Sequence, residues 1–391
     1  MTRRPFPMVR RAAASGFSLI ELLVSMAIAL VVTLAITTVM IRTGSDRRST
    51  SSVNDANQTG TYVSYVLDRS VRSAGSGFSQ NWQDAFGCSI NAAKGGTAIL
   101  PRAAAFSASS PFENVSQTVR LAPVLIGKGL ANKGAVIRGD VLTVMSGAGG
   151  FGELPLSVKP GSVTATTLRL SNVLGYNAGD LVLVADASVG GGCMLQQVAS
   201  AATDTLTLGG DYYKVAGTDV SLTAFGDSSV AIQLGSTPNN PPFLQLFGVG
   251  DNNTLFSHDL LRATGTDIDV PIADGVVEMR ALYGVDTDAI PNGTLDAWVD
   301  PAGSGYAVAD LTDGSAAAQL KLRRIVAIRI GLILRTSLQE RDPVSPTGTT
   351  LTLFNDLGAL KQTRTLSDAE RNFRFRTLEF TVPLRNTMLA P

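Results

Sequence analysis

The sequence predicts an α+β protein in which one long N-terminal membrane helix carries a large β-rich head. Three observations lead there. Phe17 to Ile41 form an unbroken apolar or uncharged run except for Glu21. Helical spacing of apolar residues returns at Tyr62, Val63, Val66, Leu67 and Val71. The remainder is rich in glycine, threonine and valine, with only 16% of all residues charged, a composition that favours strands and loops.

The first element is the apolar run. Its leader carries Arg3, Arg4, Arg10 and Arg11 and no acid, which keeps that end cytoplasmic and sends everything beyond Ile41 across the bilayer. The run continues into Met40-Ile41-Arg42 without the small-residue cleavage site of an ordinary signal peptide, and it is long enough to span as a helix. Glu21 lies inside it. A carboxylate in hydrocarbon is costly and marks a functional pairing, so a partner amine on an adjoining chain would offset that cost and set the axial register.

Residues 42–77 extend the stem. Asp46, Arg47 and Arg48 open a Ser/Thr/Asn-rich stretch to Thr61 that reads as flexible or partly melted. The stripe from Tyr62 to Val71 docks the stem on the head, and Gly75 and Gly77 end the helix. Residues 78–391 form one large head or two coupled lobes. Strand regions are expected at Val136–Val144, Ser162–Leu170, Asp180–Ala185 and Thr203–Leu208, with a loop or lobe boundary at Asn239-Asn240-Pro241-Pro242. A later strand, Arg324–Arg335, has an apolar face on its even positions from Val326 to Leu334, with Arg329 and Arg335 opposite. The last, Phe373–Val382, changes phase between Phe375 and Leu378, which a bulge near Arg376-Thr377 would reconcile.

Basic leader, Gly16-Phe17-Ser18-Leu19-Ile20-Glu21-Leu22 and long apolar run together resemble the class III leader and first helix of type IV prepilins and type II secretion pseudopilins. The resemblance implies a leader over residues 1–16 and a transmembrane and assembly helix over 17–41. A prepilin peptidase would cut between Gly16 and Phe17, and the new Phe17 amine would be methylated. Glu21, fifth from that cut, would pair with a neighbouring subunit's N-terminal amine. Further segments resemble PilW-type minor pilins in order along the chain: Asp68–Gly75, Phe86-Gly87-Cys88, Gly179–Asp186 with Cys193, Leu282–Asp288, Val326–Ile330 and Val382–Asn386. This implies a pilin-like, low-copy subunit that helps initiate type IV pilus assembly near the tip. Its partners would be the peptidase, the inner-membrane assembly platform, other minor pilins and the major pilin, a tip adhesin, and the lipid bilayer. It would reside in the bacterial inner membrane, with a periplasmic head, before entering the extracellular pilus. Such pili serve twitching motility and adhesion. The alternatives are a type II secretion pseudopilin, which shares the leader chemistry, and a membrane-tethered adhesin or DNA-binding module.

Cys88 and Cys193 are the only cysteines, and both lie in the exported head, where a disulfide is permitted; two independent buried thiols are the alternative. Closing a loop of about 100 residues would contribute roughly 4 kcal/mol in the chain-entropy picture. Asp286, Asp288, Asn292 and Asp296 concentrate oxygen ligands in a turn that is a calcium candidate, although the spacing is not that of an EF-hand and a polar hairpin turn explains it as well. No cofactor is expected. The single histidine, His258, is assigned to the surface or to local packing, and no phosphate loop or paired CxxC motif points to catalysis. Lys plus Arg and Asp plus Glu both total 32, which gives no dominant nucleic-acid surface. Lys321–Arg324 and Arg371–Arg376 are local basic strands that would suit DNA, anionic glycans, neighbouring pilins or simply solvent.

Overall fold

A computed structural model describes residues 16, 18–147, 156–186, 191–262, 268–303 and 305–388. The chain divides into two compact units, Met1–Asn54 and Asp55–Pro391. Helix α1 runs unbroken from Leu19 to Ser73, 55 residues. The Ser/Thr/Asn-rich stretch expected to be melted is therefore helical. Its hydroxyls explain why it tolerates that state, because Thr50 and Thr61 donate to the carbonyls of Asp46 and Asn57 one turn back, 2.8 and 3.0 Å away.

In the second unit the short helix α2 (Trp82–Ala85) leads to β1 (Ser89–Lys94), β2 (Thr97–Leu100), β3 (Val124–Gly127) and β4 (Val141–Ser146). Then come β5 (Leu156–Ser157), β6 (Thr167–Arg169), β7 (Asp180–Ala185), β8 (Gly192–Ala202), β9 (Thr205–Leu208), β10 (Val230–Ser236) and β11 (Phe243–Val249). The chain continues through β12 (Thr254–Asp259), β13 (Val270–Asp274), β14 (Val276–Val285), β15 (Ala297–Val299), α3 (Val308–Leu311), α4 (Ala316–Arg323) and β16 (Ile325–Arg335). It ends with β17 (Thr350–Leu353), β18 (Gln362–Thr365), β19 (Phe375–Pro383) and α5 (Arg385–Met388).

Among the described residues these strands form an eight-stranded sheet around β2-β1-β8-β7-β10-β5, with β9 joining β8 to β6. A five-stranded sheet has the order β13-β12-β11-β4-β3, a four-stranded one β15-β14-β16-β19, and β17 with β18 make a hairpin. The result is a long apolar helix followed by a β-rich region, an α+β pilin-like fold. Three apolar clusters hold the head. The largest joins Val63, Leu67 and Val71 of α1 to Ile328, Ile330 and Leu332 of β16 and to Val144 and Leu246 of the five-stranded sheet. Strand β7 is buried on both faces because Leu181, Leu183 and Ala185 enter this cluster while Val182 and Val184 enter a second one, built from residues 158–231. The third cluster, Val277, Leu282, Ile333, Leu353 and Phe354, covers the other face of the four-stranded sheet.

Several strand expectations need correction. Strand β4 begins at Val141, not Val136, because the Asn132 side chain takes the N–H groups of Arg138 and Gly139 out of any ladder. Gly139 then sits at φ +102°, where a Cβ would lie 1.9 Å from the Met279 carbonyl oxygen. The strand read over Ser162–Leu170 shrinks to Thr167–Arg169, since the Thr164 hydroxyl accepts from the N–H groups of Thr166 and Thr167 and holds a turn. Strand β19 has no bulge: its pairing with β16 keeps one register from Pro383 to Phe375. Its phase change is two faces, with Leu378, Phe380 and Val382 on the main cluster and Phe375 on the third. The basic segment around Lys321 is helix α4, not a strand.

Candidate assembly site

The predicted processing and assembly residues sit at the start of α1. Gly16 is exposed, and Phe17 and the leader up to residue 15 lie outside the described residues. Ser18 starts the helix: its carbonyl accepts the N–H groups of Glu21 and Leu22 at 3.0 and 3.1 Å. Glu21 thus occupies the first turn, where the positive end of the helix dipole favours a carboxylate. It is exposed and forms no ion pair with any described residue. Around it Leu19, Ile20, Leu22, Leu23 and Val24 are each at least half exposed. From Leu19 to Ile41 the helix covers roughly 34 Å at about 1.5 Å per residue, against a hydrocarbon layer of roughly 30 Å. Among the described residues it is the one helix long and apolar enough to cross a membrane. Among the described residues this carboxylate has no cationic partner, and exposed aliphatic side chains surround it.

The other end of α1 is anchored. The buried positions Gly60, Val63, Leu67, Val71 and Ala74 recur every three or four residues, whereas Tyr62, expected on that stripe, is 54% exposed. Gly75, at φ +78°, follows the last turn, and its N–H donates to the Met145 carbonyl. The freed carbonyls of Ser73 and Ala74 accept from Asn386 Nδ2 at 3.2 and 2.9 Å. Asn386 closes the last segment quoted for the family resemblance, and capping the stem gives that segment a physical role.

Cys88 and Cys193 are joined as a disulfide with Cα atoms 5.7 Å apart, linking the chain ahead of β1 to β8 across 105 positions. Strands β1 and β8 also pair in parallel at Ile90 and Cys193, so the bond reinforces an existing contact.

In the Asp turn, carboxylate oxygens of Asp286, Asp288 and Asp296 lie within 4.8 Å of one another. Most of that capacity is in use. Asp286 Oδ2 accepts from the N–H groups of Asn292 and Gly293 at 2.6 and 2.7 Å, and its Oδ1 from Asp288 at 3.0 Å. Asp296 Oδ2 accepts from the N–H of Thr287, and Asn292 turns its amide nitrogen, not its oxygen, to Asp288. Burial pushes the Asp286 carboxyl up, but the three N–H donors outweigh it and hold it below the usual range. This geometry describes a self-braced polar turn, bolted down by Arg324, which donates to the carbonyls of Asp286 and Ala289.

His258 is not a surface group. It is 1% exposed, with Nδ1 2.9 Å from Asp269 Oδ1 and its ring edge-on to Phe106 at 4.8 Å. The basic segment Arg371–Arg376 is engaged within the head: Arg371 with Asp368, Arg374 with Glu340, and Arg376 with Asn57 of α1.

Sequence reasoning missed a buried ionic chain. Arg280 donates to Glu278 and Asp140 at 2.6 and 3.2 Å, and Arg364 donates to Glu278 and Glu370 at 2.9 and 2.6 Å. These residues tie the β17–β18 hairpin and the Gly129–Asp140 loop to β14. Single charges scattered over 230 positions carry no periodic signal that would have disclosed the cluster.

Residues 247–386 match the family described as type IV pilus-assembly protein W, and residues 11–37 match the prokaryotic N-terminal methylation motif. The first match contains the segments Leu282–Asp288, Val326–Ile330 and Val382–Asn386; the earlier segments around Cys88 and Cys193 lie outside it. No curated protein and no solved structure matches the chain.

Proposed function

We propose that this chain, whose residues 247–386 match the PilW family and whose residues 11–37 match the N-terminal methylation motif, is a PilW-type minor pilin that is processed between Gly16 and Phe17, methylated on Phe17, and incorporated through Glu21 as part of a tip complex. A role in type IV pilus assembly and a single membrane-spanning helix with a periplasmic head are the premises. PilW proteins are structural subunits, not catalysts. The finer reading is a low-copy pilin that helps initiate assembly, handled by a prepilin peptidase and an inner-membrane platform and packed against other pilins. From there it would contribute to motility or adhesion.

The observation that carries it is Glu21: an unpaired carboxylate one turn into an exposed apolar helix, within the matched methylation motif. Left in lipid it is costly, and the methylated amine of a neighbouring subunit is the nearest cation an assembling filament supplies. The mass of the mature N-terminus tests processing: a chain beginning at Phe17 with one added methyl group is expected, and an intact leader indicates a membrane tether instead. Glu21→Ala should leave export unchanged and lower incorporation into sheared filaments at least several-fold. Incorporation at the wild-type level would remove the pairing.

A further inference from the structure

A cleft of about 460 Å³ opens in the head between α3, the 114–120 loop and the sheet formed by β3, β4 and β11. That is the size of small-molecule sites, which run from roughly 300 to 1,000 Å³. Its floor is aliphatic: Val119, Leu125, Val141, Met145 and Leu246, with Val308 of α3 as one wall. Among the described residues no aromatic and no acidic side chain lines it, and Arg120 is the only charged one that does.

Arg120 is held in place. Its Nη1 donates to the Gly87 carbonyl at 2.9 Å, beside the disulfide-bonded Cys88. Among the described residues no carboxylate pairs with it. Asp313 feels its charge, but the Asp313 carboxylate accepts from Ser315. The hydroxyl residues Ser116, Thr118 and Thr143 complete the polar part of the lining.

An aliphatic trough without rings gives nothing for a flat aromatic ligand to stack on. It suits a flexible alkyl chain, whose burial is favourable at roughly 25 cal/mol per Å². A fixed guanidinium without a carboxylate partner selects an anionic head that can take two N–H bonds. We propose that this cleft binds a medium-chain acyl carboxylate, with the chain against the partly exposed Val115, Leu130 and Val308, directly above the buried Met145 and Leu246, and the carboxylate on Arg120. This goes beyond the pilus assignment and does not depend on it, since of the lining residues named here as floor or wall only Val308 lies within the matched family region.

The test uses the full chain in lipid nanodiscs and follows the Met145 methyl resonance, identified by its loss in Met145→Leu. Sodium decanoate should shift that resonance saturably, and 1-decanol should do so at least ten-fold more weakly. Arg120→Gln should bring decanoate down to the decanol level without altering the decanol response. Arg120→Lys should retain a measurable preference for decanoate. Ala309→Trp, placed on an exposed position of α3 that lines the cleft, should remove both responses while the rest of the methyl spectrum stays dispersed. No saturable shift with decanoate overturns the proposal, as does equal binding of decanoate and decanol by the unmodified chain. So does a photo-crosslinker at position 309 that captures a neighbouring pilin head in assembled filaments, because the occupant would then be protein.

Discussion

Tyr283 shows how one side chain sets the relation between two sheets. It lies fully buried on β14, and its hydroxyl oxygen accepts the Ile126 N–H of β3 at 2.6 Å. Burial pushes that hydroxyl's pKa up, so it stays protonated at every pH the protein meets. Tyr283→Phe strands a buried N–H and should lower head stability by about 1–3 kcal/mol in urea denaturation, whereas an effect under about 0.5 kcal/mol would mean the N–H finds another partner. Asp204 is the opposite case. Hydrogen bonds from Arg169, then Lys159 and Thr205, hold its carboxyl far below the usual range. The folded chain therefore takes up that proton less readily than the unfolded one, and the contribution is present above the unfolded value near pH 4 and lost as pH falls through the folded value. The stability gap between wild type and Asp204→Asn should be largest near pH 6 and narrow steadily as pH falls below about 4. A gap independent of pH would show that the ion pairs contribute nothing.

At the scale of elements, α1 changes its environment along its length without changing its backbone. Up to Ile41 its apolar residues are exposed all round, as a bilayer requires; from Gly60 onward they shrink to one buried stripe. Leu67, fully buried in the main cluster, is the centre of that stripe. Leu67→Ala should cost about 2–5 kcal/mol, while Tyr65→Ala on the exposed face should stay within about 0.5 kcal/mol. Comparable losses from the two, followed through Trp82 and Trp298 fluorescence, would contradict the docking face. Strand β16 was legible because its even residues form an uninterrupted apolar row. Strand β19 was legible as a strand but misread in register, since nothing local announces that Phe375 packs on a third cluster, closed by Phe354, while Leu378 and Phe380 pack on the main one. Val136–Asp140 misled for a related reason: β-branched residues suggested a strand, but the Asn132 side chain had already claimed the N–H groups a ladder would need.

For the whole molecule, the matched family region carries the four-stranded sheet, β12, β13, the β17–β18 hairpin and the Asn386 cap, while the eight-stranded sheet lies before it. The second cluster sits entirely within that earlier part, and the Cys88–Cys193 bond clamps it to the chain leaving α1. Crosslinking a loop of this length restricts the unfolded chain, so Cys88→Ala/Cys193→Ala should lower stability by about 2–4 kcal/mol. Reductant should do the same to the wild type and nothing further to the double variant; a wild type insensitive to reductant would remove the bond from the stabilising set.

Sequence alone established what depends on neighbours along the chain: the basic leader, the membrane-length apolar run, the placement of Glu21 within it, the stem's helical stripe and the long apolar strands. Each is a local pattern whose physical cost or gain is independent of the rest of the fold. Only the tertiary structure decided the partners brought from afar: Asn386 on the end of α1, Tyr283 on Ile126, the Arg280–Glu278–Arg364 chain, and the clusters that bury both faces of β7. Those contacts join positions up to about 300 residues apart, and loop closure over such distances leaves no periodic trace in the order of amino acids.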